Sequence, residues 1–348
     1  MGFEMYSQDE RSRRWALGRA LMDAEGVEAL LLYENTYFTC GPSGAIVIFP
    51  RDGRPVALTD GPSSSPWVPT RPSRHAYGIA EVLREHRLHR SAVGVLGLEP
   101  YPPIHRGPLL PHSLWSQVLG LLPHVAFTSV WPGYFRLVVR HSGEELAILS
   151  EGARIAKAMA DAVADALRPG THESELSAAG LSTGYALGAT PTVRVSAGGG
   201  PISPGDVVPV EIRCTYGFLE VRGRIPLMLG EPTDPVADAL DRAMAGYAAG
   251  LRAIRPGNTV GQAAAAVAAQ LGGPGDEPRL VGLNPLSLSA GGQEPPTGHD
   301  FVLAPGMTLA LQAGHRRVTV GGTVLTTEDD AIELFTPFTG VSSGSTCS

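Results

Sequence analysis

The chain has 348 residues, with 34 acidic against 27 basic side chains and a formal net charge of −7. That length suits about two domains, each able to bury a sizeable core. The mild acidity, without any run of Lys or Arg, argues against a nucleic-acid partner, and no stretch reaches membrane-spanning length.

Cationic positions are filled almost entirely by arginine, and Lys157 is the sole lysine. The cysteines, Cys40, Cys214 and Cys347, are far apart and lack metal-ligand spacing, so free thiols in a reducing compartment are expected. The opening MGFEMYSQDERSRRW is polar and has no signal-peptide core, which points to a soluble cytoplasmic protein.

Apolar Trp15, Leu17, Leu21 and Met22 at helical spacing predict a helix over Ser7–Glu25, stopped by Gly26. Val27–Tyr33, Ala45–Phe49 and Val56–Thr59 read as strands, the last two joined around the turn RDGRP. A short helix over Ile79–Glu85 and a strand over Ala92–Leu96 continue this α/β order. The Pro- and Leu-rich segment Gly97–His124 reads as a passage between domains, with His105 and His112 as loop histidines. Glu144–Leu167, Thr171–Gly188, Pro232–Ile254 and Thr259–Leu271 are predicted helices. Lys157 is expected to be a solvated side chain on the first of these. The closing residues 339–348 are low in complexity and expected to be disordered.

The most informative stretch is PGDVVPVEIRCTYGFLEVRGR, residues 204–224. Two β-branched strands, Val207–Thr215 and Phe218–Arg224, meet at Tyr216-Gly217 as a hairpin. Alternation puts Glu211 and Arg213 on one face of the first strand, and Glu220, Arg222 and Arg224 on one face of the second. Unpaired buried charge is costly, so such a pattern in an apolar hairpin points to a lined cavity, or else to a solvated face.

Six segments in order resemble the pita-bread family of creatinase, prolidase, aminopeptidase P and methionine aminopeptidase. They are RHSGEELAIL (140–149), RPGTHESEL (168–176), PGD (204–206), IRPGNTVGQAAAAV (254–267), PGM (305–307) and TTEDDAIEL (326–334). GVEALLLYENTYFTCG (26–41) is similar to a motif of that family's N-terminal domain. The resemblance implies an α+β fold. Residues 1–130 would form a smaller α/β domain, and 131–338 the pita-bread domain. It also implies a homodimer in which Tyr33, Asn35, Tyr37 and Thr39 either contact the partner's substrate or pack locally.

Metal-dependent members hold two divalent ions with two Asp, one His and two Glu. By resemblance those positions fall on Glu211, on Val221 or Arg222, on Leu283, on Gln312 and on Glu328. Two carboxylates beside an arginine cannot wrap two divalent cations, so neither metal nor any other cofactor is expected. The creatinase route, which uses a histidine base and gripping glutamates, is also incomplete. No histidine precedes PGD, and Gly223 stands at one glutamate position. Where the family often has His-Glu-Pro, this chain has Gln293-Glu294-Pro295.

The remaining candidates are Glu328, Glu211 and Glu294 for acid–base chemistry, with Arg213, Arg222, Arg224, Gln312, Tyr37, His299 and His315 for substrate binding. Carboxylates in apolar surroundings can move protons, and arginines clamp carboxylates or stabilise oxyanions. The expected function is a metal-independent enzyme acting on a small amino-acid-derived metabolite. Its reaction would be C–N hydrolysis or an elimination, cyclisation or isomerisation. The alternative is a non-catalytic descendant that binds a ligand or protein.

Overall fold

The computed structural model describes residues 5–98, 109–271, 279–283, 301–316 and 318–336, which fall into two compact units meeting in sequence at Val138 and Val139. Among the described residues no helix is long and apolar enough to cross a membrane.

The first unit begins with α1 (Gln8–Glu25), capped by the Ser7 hydroxyl accepting from Glu10 N–H at 3.1 Å and ended by Gly26 at φ 66°. Strands β1 (Ala29–Tyr33), β2 (Ile46–Pro50), β3 (Val56–Leu58) and β4 (Thr70–Arg71) follow. Then come α2 (Ala76–Glu85), β5 (Ala92–Leu96), α3 (His112–Leu121), β6 (Ala126–Ser129) and α4 (Trp131–Val138). The sheet order is β4-β3-β2-β1-β5-β6, with β1 antiparallel to β2 and parallel to β5. Every residue of β1 and β2 is buried, as strands covered on both faces require. Helix α2 buries Ile79, Val82 and Leu83 in a cluster with Leu31, Ile48, Val95 and, from α3, Val118. The sequence reading of 97–124 as an interdomain passage is therefore corrected. Its second half is a helix of the first unit's core, hidden among prolines that read as loop. Helix α4 likewise belongs to this unit rather than to the following domain.

The second unit contains two similar halves. The first has α5 (Gly143–Ala166), α6 (Glu173–Ala186), β7 (Thr190–Val195), β8 (Val207–Tyr216) and β9 (Leu219–Met228). The second has α7 (Asp234–Ala253), α8 (Val260–Leu271), β10 (Arg279–Leu283), β11 (Thr308–His315), β12 (Val318–Thr326) and β13 (Ala331–Phe335). Ser142 and Glu145 close a capping box at the start of α5. The sheet runs β10-β11-β12-β9-β8-β7, with β13 added beside β12. On β8 the residues Val208, Val210, Ile212 and Cys214 are fully buried, while the alternate positions are not. Burial pushes the Cys214 thiol up to about 12, so it stays a neutral core group.

The β8–β9 turn needs two left-handed residues, and Gly217 and Phe218 supply them at φ 57° and 65°. The halves join where Arg224 of β9 pairs with Gly321 of β12. Beside it, Thr323 Oγ1 accepts from Arg222 N–H at 2.8 Å and donates to Arg222 O at 2.9 Å.

Close approach at this junction excludes side chains. A Cβ at Gly223 would collide with the Phe335 ring, and one at Gly322 with the Phe335 carbonyl. Replacing Gly223 by Ala is expected to destabilise the protein by about 1–3 kcal/mol through overpacking. Urea unfolding checks this, and pairing the change with Phe335→Leu should recover part of the loss.

Candidate functional site

The charged hairpin residues share one face of the second unit's sheet. The β8–β9 register sets Glu211 opposite Arg224, Arg213 opposite Arg222, and Thr215 opposite Glu220. Two guanidinium groups directly opposite each other repel, so each needs a compensating carboxylate. Each finds one two residues earlier on its own strand. Arg213 Nε donates to Glu211 Oε1 at 2.5 Å, and Arg222 Nε donates to Glu220 Oε1. Arg224 Nη2 reaches the other Glu211 oxygen at 3.3 Å.

These side chains are not a solvated surface: Glu211 is 14%, Glu220 7% and Arg222 12% exposed. Burial pushes the Glu211 carboxyl upward, but Arg213 and Arg224, with Arg194 across on β7, outweigh it and hold the pKa below its ordinary value. The three hairpin arginines exceed the two glutamates, and Arg194 adds to the surplus.

Gln312 continues the same row, since it pairs with Gly321, which pairs with Arg224. It is 2% exposed. Its Cγ lies 2.6 Å from where a Gly321 Cβ would stand, so the side chain leans over the bare glycine. Gln312 Oε1 and Arg224 Nε are both buried without a hydrogen-bond partner.

Several expected site residues lie elsewhere. Glu328 is in the exposed turn between β12 and β13, where Thr327 and Asp330 bond to each other. The β12 residue in register with Arg224 and Gln312 is Gly321, because the tight His315–Val318 connection fixes the β11–β12 pairing. Glu328 is thus removed from the site, and no carboxylate replaces it on β12. His315 pairs with Val318, and strand alternation assigns it to the face opposite Gln312.

Tyr37 is a core residue of the first unit, 1% exposed. Its ring packs on the Arg14 guanidinium at 4.6 Å, beside Tyr6 at 4.1 Å, and its carbonyl accepts from Arg14. Asn35 donates to Tyr134 Oη at 2.6 Å, and Arg74 donates to Tyr33 Oη at 3.1 Å. Local packing is therefore what these residues do within their own unit. Glu294 and His299 lie outside the described residues, as do His105, Cys347 and the tail from 339. Lys157 is exposed and pairs with Asp161 at 2.9 Å.

Sequence reasoning left three participants out of the site. Glu220 carried the same alternation signal as Arg222. Gly321 was visible as a Gly-Gly pair inside a strand, a mark of close backbone approach. Arg194 had no signal, because its place depends on β7 pairing.

The sequence pattern of metallopeptidase family M24 matches residues 147–332. The chain belongs to this family. No curated protein matches it. Among solved structures, the prolidase from Pyrococcus horikoshii is similar with a TM-score of 0.76 at 15% identity, over 92% of this chain and 97% of that one. The X-Pro aminopeptidase from Thermotoga maritima gives 0.77 at 14% identity, covering 92% and 97%. A dipeptidase from Mycobacterium ulcerans gives 0.73 at 18% identity, covering 95% and 96%. At such identities the likeness is one of fold, and it is the α+β pita-bread fold that the sequence motifs implied.

The family name implies bound metal, and the described donors do not fit it. Both oxygens of Glu211 face arginine nitrogens, Glu220 is bonded to Arg222, and Thr323 Oγ1 is engaged with backbone. Among the described residues no three His, Cys, Asp or Glu side chains gather as a cation site. Hard divalent ions need several unengaged oxygens.

The Glu211 ion pairs make a pH prediction. A carboxyl with a lowered folded pKa contributes stability above its unfolded value, and loses it as pH falls through the folded value. Glu211→Gln should cost about 1–3 kcal/mol at pH 7. The gap from the parent should be constant above pH 5 and close as pH drops below 4.5, the ordinary carboxyl value. Urea melts of both proteins across pH 3–7 check it.

Proposed function

We propose that this M24 chain is a metal-independent enzyme whose arginines bind the carboxylate of a small amino-acid-derived metabolite. The observation that carries this reading is the surplus of arginine over glutamate on a mostly buried sheet face, with Arg213 and Arg222 directly opposed. An anion set between two opposed guanidinium groups relieves their repulsion and is held by charge-assisted hydrogen bonds.

Binding would also change Glu211. Its low pKa depends on Arg213 and Arg224 overcoming burial. A substrate carboxylate that draws Arg213 away leaves burial less opposed, so the Glu211 carboxyl moves upward toward a useful proton acceptor. Arg222 is placed to stabilise negative charge that develops on the substrate. The solved neighbours are named prolidase, aminopeptidase and dipeptidase, which favours C–N bond hydrolysis as the reaction. A proton-transfer reaction such as elimination, cyclisation or isomerisation fits the described side chains better, because none of them is set to activate water. Family expectation adds a homodimer.

A second reading, a non-catalytic binder, is favoured by one specific observation: both carboxylates on the face are already ion-paired.

Incubation with manganese, cobalt, iron and zinc, followed by desalting and mass spectrometry, should show no near-stoichiometric metal. Retention that Glu211→Ala abolishes would overturn the proposal. Turnover of a carboxylate-bearing metabolite should survive chelator and fall roughly a hundredfold in Arg222→Ala. Arginine-dependent binding without turnover of any such metabolite would select the binder.

A further inference from the structure

Arg224 Nε on β9 and Gln312 Oε1 on β11 are a donor and an acceptor of one row, on either side of β12, each buried and each without a partner. Buried polar groups are rarely left unpaired, and each costs about 1–3 kcal/mol when they are. The two atoms flank Gly321, the one position in the row without a side chain.

We propose that Arg224, Gln312 and the bare backbone at Gly321 form a subsite for a cis-disposed amide: a lactam, primary carboxamide or ureido group. This deepens the function proposed above by naming the substrate class.

The chemistry follows from what each candidate group presents. Arg224 Nε offers an N–H and needs an acceptor, while Gln312 Oε1 needs a donor. A carboxylate satisfies Arg224 but turns only lone pairs toward the Gln312 oxygen. An ammonium satisfies Gln312 but meets the like charge of Arg224. A trans peptide sends its C=O and N–H to opposite sides, and an X-Pro amide has no N–H to give. Of these groups, an amide with C=O and N–H on one side is the one that pairs both atoms at once. The subsite is therefore mismatched to peptide and X-Pro bonds alike. Both atoms are covered in the structure, so the amide enters as the Gln312 side chain lifts off Gly321, where no Cβ obstructs it. The ligand's carboxylate then lies toward Arg213 and Arg222.

Calorimetric titration with three matched five-membered-ring acids tests this. Pyroglutamate has the lactam C=O and N–H, N-methylpyroglutamate lacks the N–H, and cyclopentanecarboxylate lacks the amide. Pyroglutamate should bind at least tenfold more tightly than either analogue, the value of one hydrogen bond of about 1.4 kcal/mol. Gln312→Leu should equalise pyroglutamate and its N-methyl form. Thermal melts of each variant confirm folding. Equal binding of all three acids, a preference that survives in Gln312→Leu, or no binding by any of them overturns the inference. Equal, Arg222-dependent binding would leave the carboxylate-binding reading in place. Amide-selective binding without turnover would keep the subsite and overturn the enzyme.

Discussion

The second unit depends on one junction, where Gly321 of β12 lies between Arg224 of β9 and Gln312 of β11. Among the described residues it is the registered Cα pair that joins the two halves of the sheet. The adjoining Thr323 hydroxyl substitutes for ladder hydrogen bonds by serving both backbone groups of Arg222. Glycine at 321 lets Gln312 fold across the strand, glycine at 322 admits the Phe335 backbone, and glycine at 223 admits its ring. Three bare positions therefore hold β13 and both hairpins together, and they also decide which side chains can line the face.

That constraint limits which side chains the M24 scaffold places on this face in this chain. A side chain on β12 at the junction would have to start 2.6 Å from Gln312 Cγ, too close for both to keep their places. Glu211, which would otherwise be a hard oxygen ligand, is held between Arg213 and Arg224. In the proposed metal-independent reading, guanidinium groups would supply positive charge through directional N–H donors.

The sequence made most of this fold legible because its signals were local. Helix α1 announced itself through Ser7, Gly26 and the apolar spacing between them. Tyr216-Gly217 marked the β8–β9 hairpin, and alternation put Glu211, Arg213, Arg222 and Arg224 on their faces before any register was known. What stayed hidden was non-local. Helix α3 lay behind prolines, and β7 gave no cue that Arg194 would stand beside Glu211. Glu328 was misplaced for a related reason. Its Thr-Thr-Glu-Asp string matched the letters of a terminal motif, but position in a sheet is set by the length of the preceding turn. The short His315–Val318 connection moved the row to Gly321.

The same reasoning locates the specificity of the site. Arg213 and Arg222 are interchangeable as anion holders, since either can rotate a guanidinium toward a carboxylate. In the proposed site Arg224 and Gln312 differ in role, one presenting an N–H and the other a carbonyl oxygen on either side of Gly321. In that proposal, charge on this face would govern whether an anion is drawn in. In the proposed site the uncharged Gln312, 2% exposed, would govern which anion is kept, because a buried neutral acceptor distinguishes an N–H from a lone pair.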